Sequence, residues 1–283
     1  MTTAIDTLPI DPGSDWTTGA LVCVVLPTYN EVDNLPALTA ALLALPVANL
    51  QVIVVDDSSP DGTGVAADRL AAHHPSRVQV LHRSEERGLG RAYVAGFDLA
   101  LQLGAQYIVQ MDADFSHSPA DVLRLLEASQ HADLVIGSRY VDGGGLDSDW
   151  SWWRRFLSWW ANTVWARLIL DTQVLDATAG FRCWRRATLQ GIGLERVRSN
   201  GYVFQVEMSY IAERLNYRIV EIPIFFEERR VGRSKMTAGV KFEATWRTVA
   251  LRWRHRRLAH DGRLRPAPVA TDALLAQGSD TFS

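Results

Sequence analysis

Cysteine is scarce in this chain. The two that occur, Cys23 and Cys183, are too few for a disulfide framework. Cys23 also lies inside an apolar run that reads as a buried strand, so a reducing, cytoplasmic setting is expected. Long apolar runs are missing as well. No stretch approaches the roughly 18 consecutive apolar residues that a membrane span requires. The first twenty residues are polar and acidic, without the basic and apolar regions of a secretion signal. The expectation is a chain that is neither secreted nor membrane-spanning. A third absence is the glycine-rich turn of dinucleotide-binding sheets. Pro27 and Tyr29 stand where it would follow the first strand, and Gly88-Leu89-Gly90 follows the third strand without a third glycine in register. A nicotinamide enzyme is thereby disfavoured.

What the chain does have is enough apolar material for one substantial core: 47% hydrophobic residues in 283. The net charge of -3 conceals an uneven distribution, because Arg229 to Arg265 holds twelve Arg or Lys against only Glu243 and Asp261. That end should favour an anionic surface. Residues 1–20 and the tail after about 262 are rich in small, polar and turn-forming residues, and are expected to be disordered.

Between them, short apolar runs predict five buried strands: Leu21 to Leu26, Val52 to Val55, Val78 to Leu81, Tyr107 to Met111 and Leu134 to Ile136. Helical spacing separates them at Leu35 to Leu45, Gly64 to His73, Ala92 to Leu103 and Ala120 to Ser129. This alternation predicts an α/β fold, a parallel sheet wrapped by helices. Ser59-Pro60-Asp61 and Ser118-Pro119-Ala120-Asp121 read as N-cap serine before N1 proline, with Asp121 closing a capping box. After Tyr140 the pattern changes to Gly143-Gly144-Gly145 and then to a segment with six of the ten tryptophans, from Trp150 to Trp165. There a second unit is expected to lie against the sheet.

Open parallel sheets bind ligands beyond the carboxyl ends of their strands. Those ends carry Pro27-Thr28-Tyr29-Asn30-Glu31, Asp56-Asp57-Ser58-Ser59-Pro60-Asp61-Gly62 and Asp112-Ala113-Asp114. A proline, an aromatic ring and an acid can hold a nucleobase by stacking and hydrogen bonding. Asp112 and Asp114 flank one residue at the end of a buried strand, a spacing that suits a hard divalent cation held together with a substrate diphosphate. Mg²⁺ or Mn²⁺ fits such oxygen donors better than zinc. An isolated Asp-x-Asp is usually a pair of solvated loop acids; its place at a strand mouth beside Asp56 and Asp57 is what raises it.

These motifs, together with Ile136-Gly137-Ser138-Arg139-Tyr140, Ala179-Gly180-Phe181-Arg182 and Gly232-Arg233-Ser234-Lys235, resemble the polyprenol-phosphate mannose synthases of the family 2 glycosyltransferases. The resemblance runs from about Leu21 to about Thr237 and implies a GT-A fold. It implies an inverting transfer of mannose from GDP-mannose to a polyprenyl phosphate. It further implies that Pro27, Tyr29, Glu31, Val55, Asp57, Asp112, Ala113, Asp114 and Gln205 contact the nucleotide sugar. Asp112, Asp114 and the side chain at Ser116 would hold the metal. Some members carry glutamine at that last position; serine is shorter and weaker, so water fills part of its role. Arg139, Arg154, Ser158, Arg229 and Lys235 match positions that hold the acceptor phosphate or the leaving diphosphate, with Arg139, Arg229 and Lys235 counted among the catalytic residues. The implied layout is a catalytic domain over 21–238, split into a nucleotide-sugar half (21–140) and an acceptor half (141–238), then a basic amphipathic helix over 239–260 and a disordered tail over 261–283.

Physical chemistry agrees with that implication. A phosphate monoester has a second pKa of about 6, so near neutral pH it is already largely ionised and needs no base. The remaining task is to align two mutually repelling anions, for which a metal and arginine forks serve. Asp176, just ahead of Ala179-Gly180-Phe181-Arg182, is the carboxylate to suspect if a base is used after all. His117 reads as a structural residue of a helix-entry loop or as a further metal ligand, and Gly88 and Gly90 read as shaping the entry to the third helix.

The tryptophans of Trp150 to Trp165 are ordinary core or a headgroup-level belt. The stretch from Gly239 to Leu258 is a helix on an anionic membrane or one packed on the catalytic domain. The expected location is the cytoplasmic face of a membrane, reached through these segments or through a separate membrane-anchoring protein. No nucleic-acid partner is expected. Two rival readings remain: a transferase using UDP-glucose or another nucleotide sugar on the same lipid, and a non-catalytic membrane-surface binding protein.

Overall fold

The computed structural model describes residues 13–84, 88–146, 167–227, 250–255 and 258. In chain order, the first half runs α1 (Asp15–Thr18), β1 (Val22–Thr28), α2 (Leu35–Leu43), β2 (Leu50–Asp56), α3 (Thr63–His73), β3 (Val78–His82), α4 (Leu89–Gln102), β4 (Tyr107–Gln110), α5 (Asp121–Ala128) and β5 (Leu134–Ser138). The second half adds β6 (Gly145–Leu146), α6 (Arg167–Leu170), β7 (Arg182–Arg185), α7 (Arg186–Ile192), α8 (Tyr202–Arg214), β8 (Ile219–Pro223) and β9 (Phe225–Phe226). The last helix among the described residues, α9, occupies 250–255.

Seven strands form one sheet in the order β3-β2-β1-β4-β7-β5-β8. All neighbours are parallel except β7, which runs antiparallel to both β4 and β5. The central strands bury both faces, which is why they are near-continuous in Val and Ile. Cys23, Val25, Ile53 and Val55 face one core layer with α4 and α8, while Val22, Val24, Val52 and Val54 face the other with α2 and α5. Cys23 and Cys183 fall on opposite layers, both free and buried, and burial pushes each thiol up to about 12.

The five expected strands and four expected helices are all present. The second-half unit is not separate, because β7 and β8 join the same sheet. Three further expectations are corrected. Order was expected to begin after residue 20, yet α1 places Trp16 in the core at 0% exposure; the polar neighbours of one tryptophan hid a residue with much to bury. Ser59 does not cap α3: the helix starts at Thr63, and the Ser59 hydroxyl instead donates to Asp56 Oδ1 at 2.5 Å. Asp121 closes no capping box either, since no side-chain cap bond forms and Asp121 pairs with Arg124 at 2.8 Å.

α4 lies so close to the sheet that a Cβ on Gly96 would collide with Val25 and stand 3.0 Å from Val55 Cγ2. Gly96→Ala is therefore expected to cost about 1–3 kcal/mol by overpacking, despite the better helix propensity of alanine. Chemical denaturation with an unchanged slope would show it; an equal or higher midpoint would contradict the close approach.

Candidate active site

The sheet order reverses direction about β1 and β4, and the crevice between their carboxyl ends is where an open α/β sheet binds ligands. Three loops meet there, after β1, β2 and β4. Each contains a non-glycine residue in the left-handed region: Asn30 (φ 61), Ser58 (φ 55) and Phe115 (φ 60). Such backbone is costly, and it concentrates where function constrains a loop. Hydrogen bonds tie the first two loops together. The Thr28 hydroxyl donates to Asp56 Oδ1 (3.1 Å), and the amides of Asn30, Glu31 and Val32 donate to Ser59 Oγ (3.1 Å), Thr63 Oγ1 (2.9 Å) and Asp61 Oδ2 (3.2 Å). Burial acts to raise Asp61, but the Thr63 hydroxyl and amide and the Val32 amide hold it below the usual carboxylate range.

Pro27, Tyr29, Glu31 and Asp57 therefore line one braced edge. Asp57 accepts from Arg83 and, at Oδ2, from the Gly88 amide at 2.9 Å. Arg83 was missed in the sequence, although it follows β3 directly and so had to reach the same edge as Asp57. Val55 and Gln205, expected as nucleotide-sugar contacts, have side chains enclosed by protein. Val55 is wholly buried against α4. Gln205, 2% exposed, accepts from Gln110 Nε2 at 2.5 Å, and Trp184 Nε1 donates to Gln110 at 3.3 Å. Their side chains belong to the core and to a buried network.

At the mouth of β4, the Tyr93 hydroxyl donates to Asp112 Oδ1 at 2.7 Å. Burial, and then the charge of Asp112, push the Tyr93 phenol well above its ordinary value, so it stays a donor. Gly180 comes so near that a Cβ there would stand 3.0 Å from Asp112 Oδ2. Across Ala113, Asp114 Oδ1 accepts the amide (3.1 Å) and hydroxyl (2.6 Å) of Ser116. Ser116, expected as a metal ligand, thus places its hydroxyl oxygen beside Asp114 and orients that carboxylate by donating to it. No cluster of three His, Cys, Asp or Glu suited to a metal occurs among the described residues. Two carboxylates one residue apart nevertheless fit Mg²⁺ or Mn²⁺, which keep several waters and take substrate phosphate oxygens as ligands.

His117 is 2% exposed, stacked on Phe181 at 4.9 Å and edge-on to Phe226 at 5.4 Å, with Nδ1 unpartnered. Burial pushes its imidazole below the ordinary value against the opposing pull of Asp112 and Asp114. Packing between Phe181 and Phe226 fits the structural reading of His117.

The Arg139 fork, expected to take a phosphate, is closed on Asp176. Nε and Nη2 donate to the two Asp176 oxygens at 2.8 and 2.7 Å, the Arg139 amide adds 3.0 Å, and Nη2 also reaches Thr178 Oγ1 at 2.9 Å. Asp176 is wholly buried. Beside it, the fully buried Arg182 donates to the carbonyls of Ala177 (2.8 Å), Ala179 (2.9 Å) and Gln205 (2.9 Å). Burial pulls its guanidinium down to about 10, with Asp176 opposing. Arg182 thus fixes the turn that carries Gly180 to Asp112.

A cleft of about 680 Å³ lies on the flank, between α4 and residues 195–199, with Arg83, Arg91, Asp98, Glu195 and Arg198 in its wall. Neither Asp112 nor Asp114 lines it, so it is not the reaction centre. Arg154, Ser158, Arg229 and Lys235 lie outside the described residues, as does the tryptophan segment and most of 239–260.

The Glycosyl transferase family 2 model matches residues 23–191. An undecaprenyl-phosphate mannosyltransferase of Micrococcus luteus is 48% identical over 236 residues, covering 82% of this chain and 96% of that protein. A polyprenol monophosphomannose synthase of Mycolicibacterium smegmatis is 46% identical, covering 80% and 84%. Among solved structures, glucosyl-3-phosphoglycerate synthase of Mycobacterium tuberculosis, in complex with Mn²⁺, UDP-glucose and phosphoglyceric acid, superposes with a TM-score of 0.60. At 15% identity, covering 89% of this chain and 86% of that one, it bears on the fold alone. The sheet, the crevice with its paired aspartates and the sequence likeness agree: this chain is a glycosyltransferase with a GT-A fold, a member of glycosyltransferase family 2.

Proposed function

We propose that the protein transfers mannose from GDP-mannose to a polyprenyl phosphate, with inversion at the anomeric carbon, at the cytoplasmic face of a membrane. The observation that carries this reading is the 48% identity to an undecaprenyl-phosphate mannosyltransferase across nearly the whole of that relative. The braced edge of Pro27, Tyr29, Glu31 and Asp57 receives the base and ribose. Asp112 and Asp114 are the residues that would hold Mg²⁺ or Mn²⁺, and such a cation would supply charge neutralisation for a diphosphate leaving group. The acceptor phosphate arrives ionised, so these residues have only to align it behind the anomeric carbon. Arg154, Ser158, Arg229 and Lys235 are assigned to that phosphate, and Arg139 adds its charge in an orientation set by Asp176. Incubation with a polyprenyl phosphate and either GDP-mannose or UDP-glucose tests the reading. A mannolipid from GDP-mannose is expected; a glucolipid alone would overturn the donor assignment.

Membrane contact is assigned to the outer side of α6 and α9. No helix of the described residues is long and apolar enough to cross a membrane. Leu168 (73% exposed) and Trp253 (68%) stand out beside the exposed Arg252 and Arg254, while Leu251 and His255 face inward. Arg252 ties the two helices by donating to the Ile169 carbonyl at 2.7 Å. An indole and a leucine among arginines suit an anionic headgroup layer. Leu168→Glu with Trp253→Glu should weaken co-sedimentation with phosphatidylglycerol vesicles by about tenfold, since apolar area is lost and like charge is introduced. Unchanged binding would shift the attachment to the tryptophan segment or to an anchoring protein.

A further inference from the structure

Glu207, on α8, is wholly buried and accepts from four donors. Oε2 takes the amides of Ser199 (2.7 Å) and Arg198 (3.2 Å); Oε1 takes His255 Nε2 (2.8 Å) and Arg254 Nη1 (3.3 Å), both from α9. One carboxylate therefore joins the carboxyl-terminal helix to the loop ahead of α8. That loop is seated on the entry to α4. Asn200 Oδ1 accepts the Gly90 amide at 3.0 Å, a Cβ on Gly88 would collide with the Asn200 amide, and one on Gly90 would stand 2.8 Å from the Ser199 carbonyl. Gly88 in turn donates to Asp57. A continuous run of hydrogen bonds and tight contacts thus connects His255 to the edge assigned to the nucleotide base.

We propose that Glu207 is a positioning residue for the donor site and that α9 completes it by supplying His255, so that affinity for the donor nucleotide depends on α9 being docked. This rests on the assignment of Asp57 to the donor nucleotide. The physical reason is desolvation. Without His255 the buried carboxylate loses a donor it cannot replace with water. The segment 198–200 then relaxes, and with it the Gly88 amide that orients Asp57. By linkage, nucleotide binding would in turn favour docked α9.

The test is calorimetric titration of the full-length protein with GDP and Mg²⁺. His255→Ala is expected to weaken GDP by about tenfold, and to raise the donor KM with kcat at saturation within about twofold. His255→Gln retains an N–H for Glu207 and should restore most of the affinity. Asn200→Ala, at the far end of the run, should weaken GDP comparably, and the double variant should fall short of the sum of the two. A merely structural contact would lower Tm in His255→Ala while leaving GDP affinity and KM as in the wild type, and that result overturns the proposal. If His255→Ala fails to fold, unchanged GDP affinity in Asn200→Ala overturns it instead. Wild-type protein that binds neither GDP nor UDP would refute the donor-site reading itself, a distinguishable failure.

Discussion

Asp112→Asn and Asp114→Asn are each expected to lower the transfer rate by about a thousandfold or more while the protein stays folded. An amide cannot supply the negative charge that holds a divalent cation against a diphosphate. It can still supply an oxygen. The Tyr93 hydroxyl would keep an acceptor at position 112, and the amide and hydroxyl of Ser116 would keep one at position 114. The local geometry therefore survives and the loss lies in the chemistry. Thermal midpoints within a few degrees of wild type, beside collapsed turnover, are the expected pair of results. Full activity in excess EDTA would refute the metal assignment, and near-normal turnover in both variants would reduce the two aspartates to solvated loop acids.

A different kind of loss is expected from Asp176→Ala. Arg139, its guanidinium 11% exposed, would lose the buried carboxylate that takes two of its bonds. Breaking one side of a buried pair costs about 3–5 kcal/mol, far more than a surface pair is worth. Denaturant titration measures this directly, and a loss below about 1 kcal/mol would mean that the pair is not the brace it resembles. The milder Asp176→Asn separates bracing from proton transfer. With an acceptor that ionises by itself, the rate rises as pH passes about 6 and then levels, and the variant should keep that limb at the same pH. Disappearance of the limb would make Asp176 a base. Its geometry opposes this, because both oxygens already accept from Arg139.

The parts of the fold legible in the sequence were those whose signal is local. Val22 to Leu26 and Val52 to Val55 are buried on both faces, so they appear as unbroken apolar runs, and the acids just beyond them had to fall at one edge. β7 was not legible. Arg182 and Arg185 bracket Cys183 and Trp184, and nothing one-dimensional indicates that Arg182 would be buried whole and satisfied by three carbonyls. The Arg139 pair spans 37 positions, and the Gln205 network joins residues 95 apart, so neither set of protein partners could be read from the local motifs. The two serine-proline signals were real turn chemistry read one step too far. At Ser59 the hydroxyl serves Asp56, and the helix waits for Thr63.

The antiparallel strand β7, inserted between β4 and β5, also bears on how the chain can assemble. β5 pairs only with β7 and β8, both of which follow it by more than forty residues. As the polypeptide emerges from a ribosome, β1 to β4 can zip together early, with β1 at the middle and β4 left as an open edge. Leu134 to Ser138 then remains an apolar segment with no strand on either side, until Arg182 to Arg185 arrives and bridges it to β4. The segment 21–140 thus contains neither of the strands that β5 pairs with. Contacts of such long sequence separation make closure slow, and an unpaired apolar strand is the feature on which nascent chains aggregate or recruit holdases.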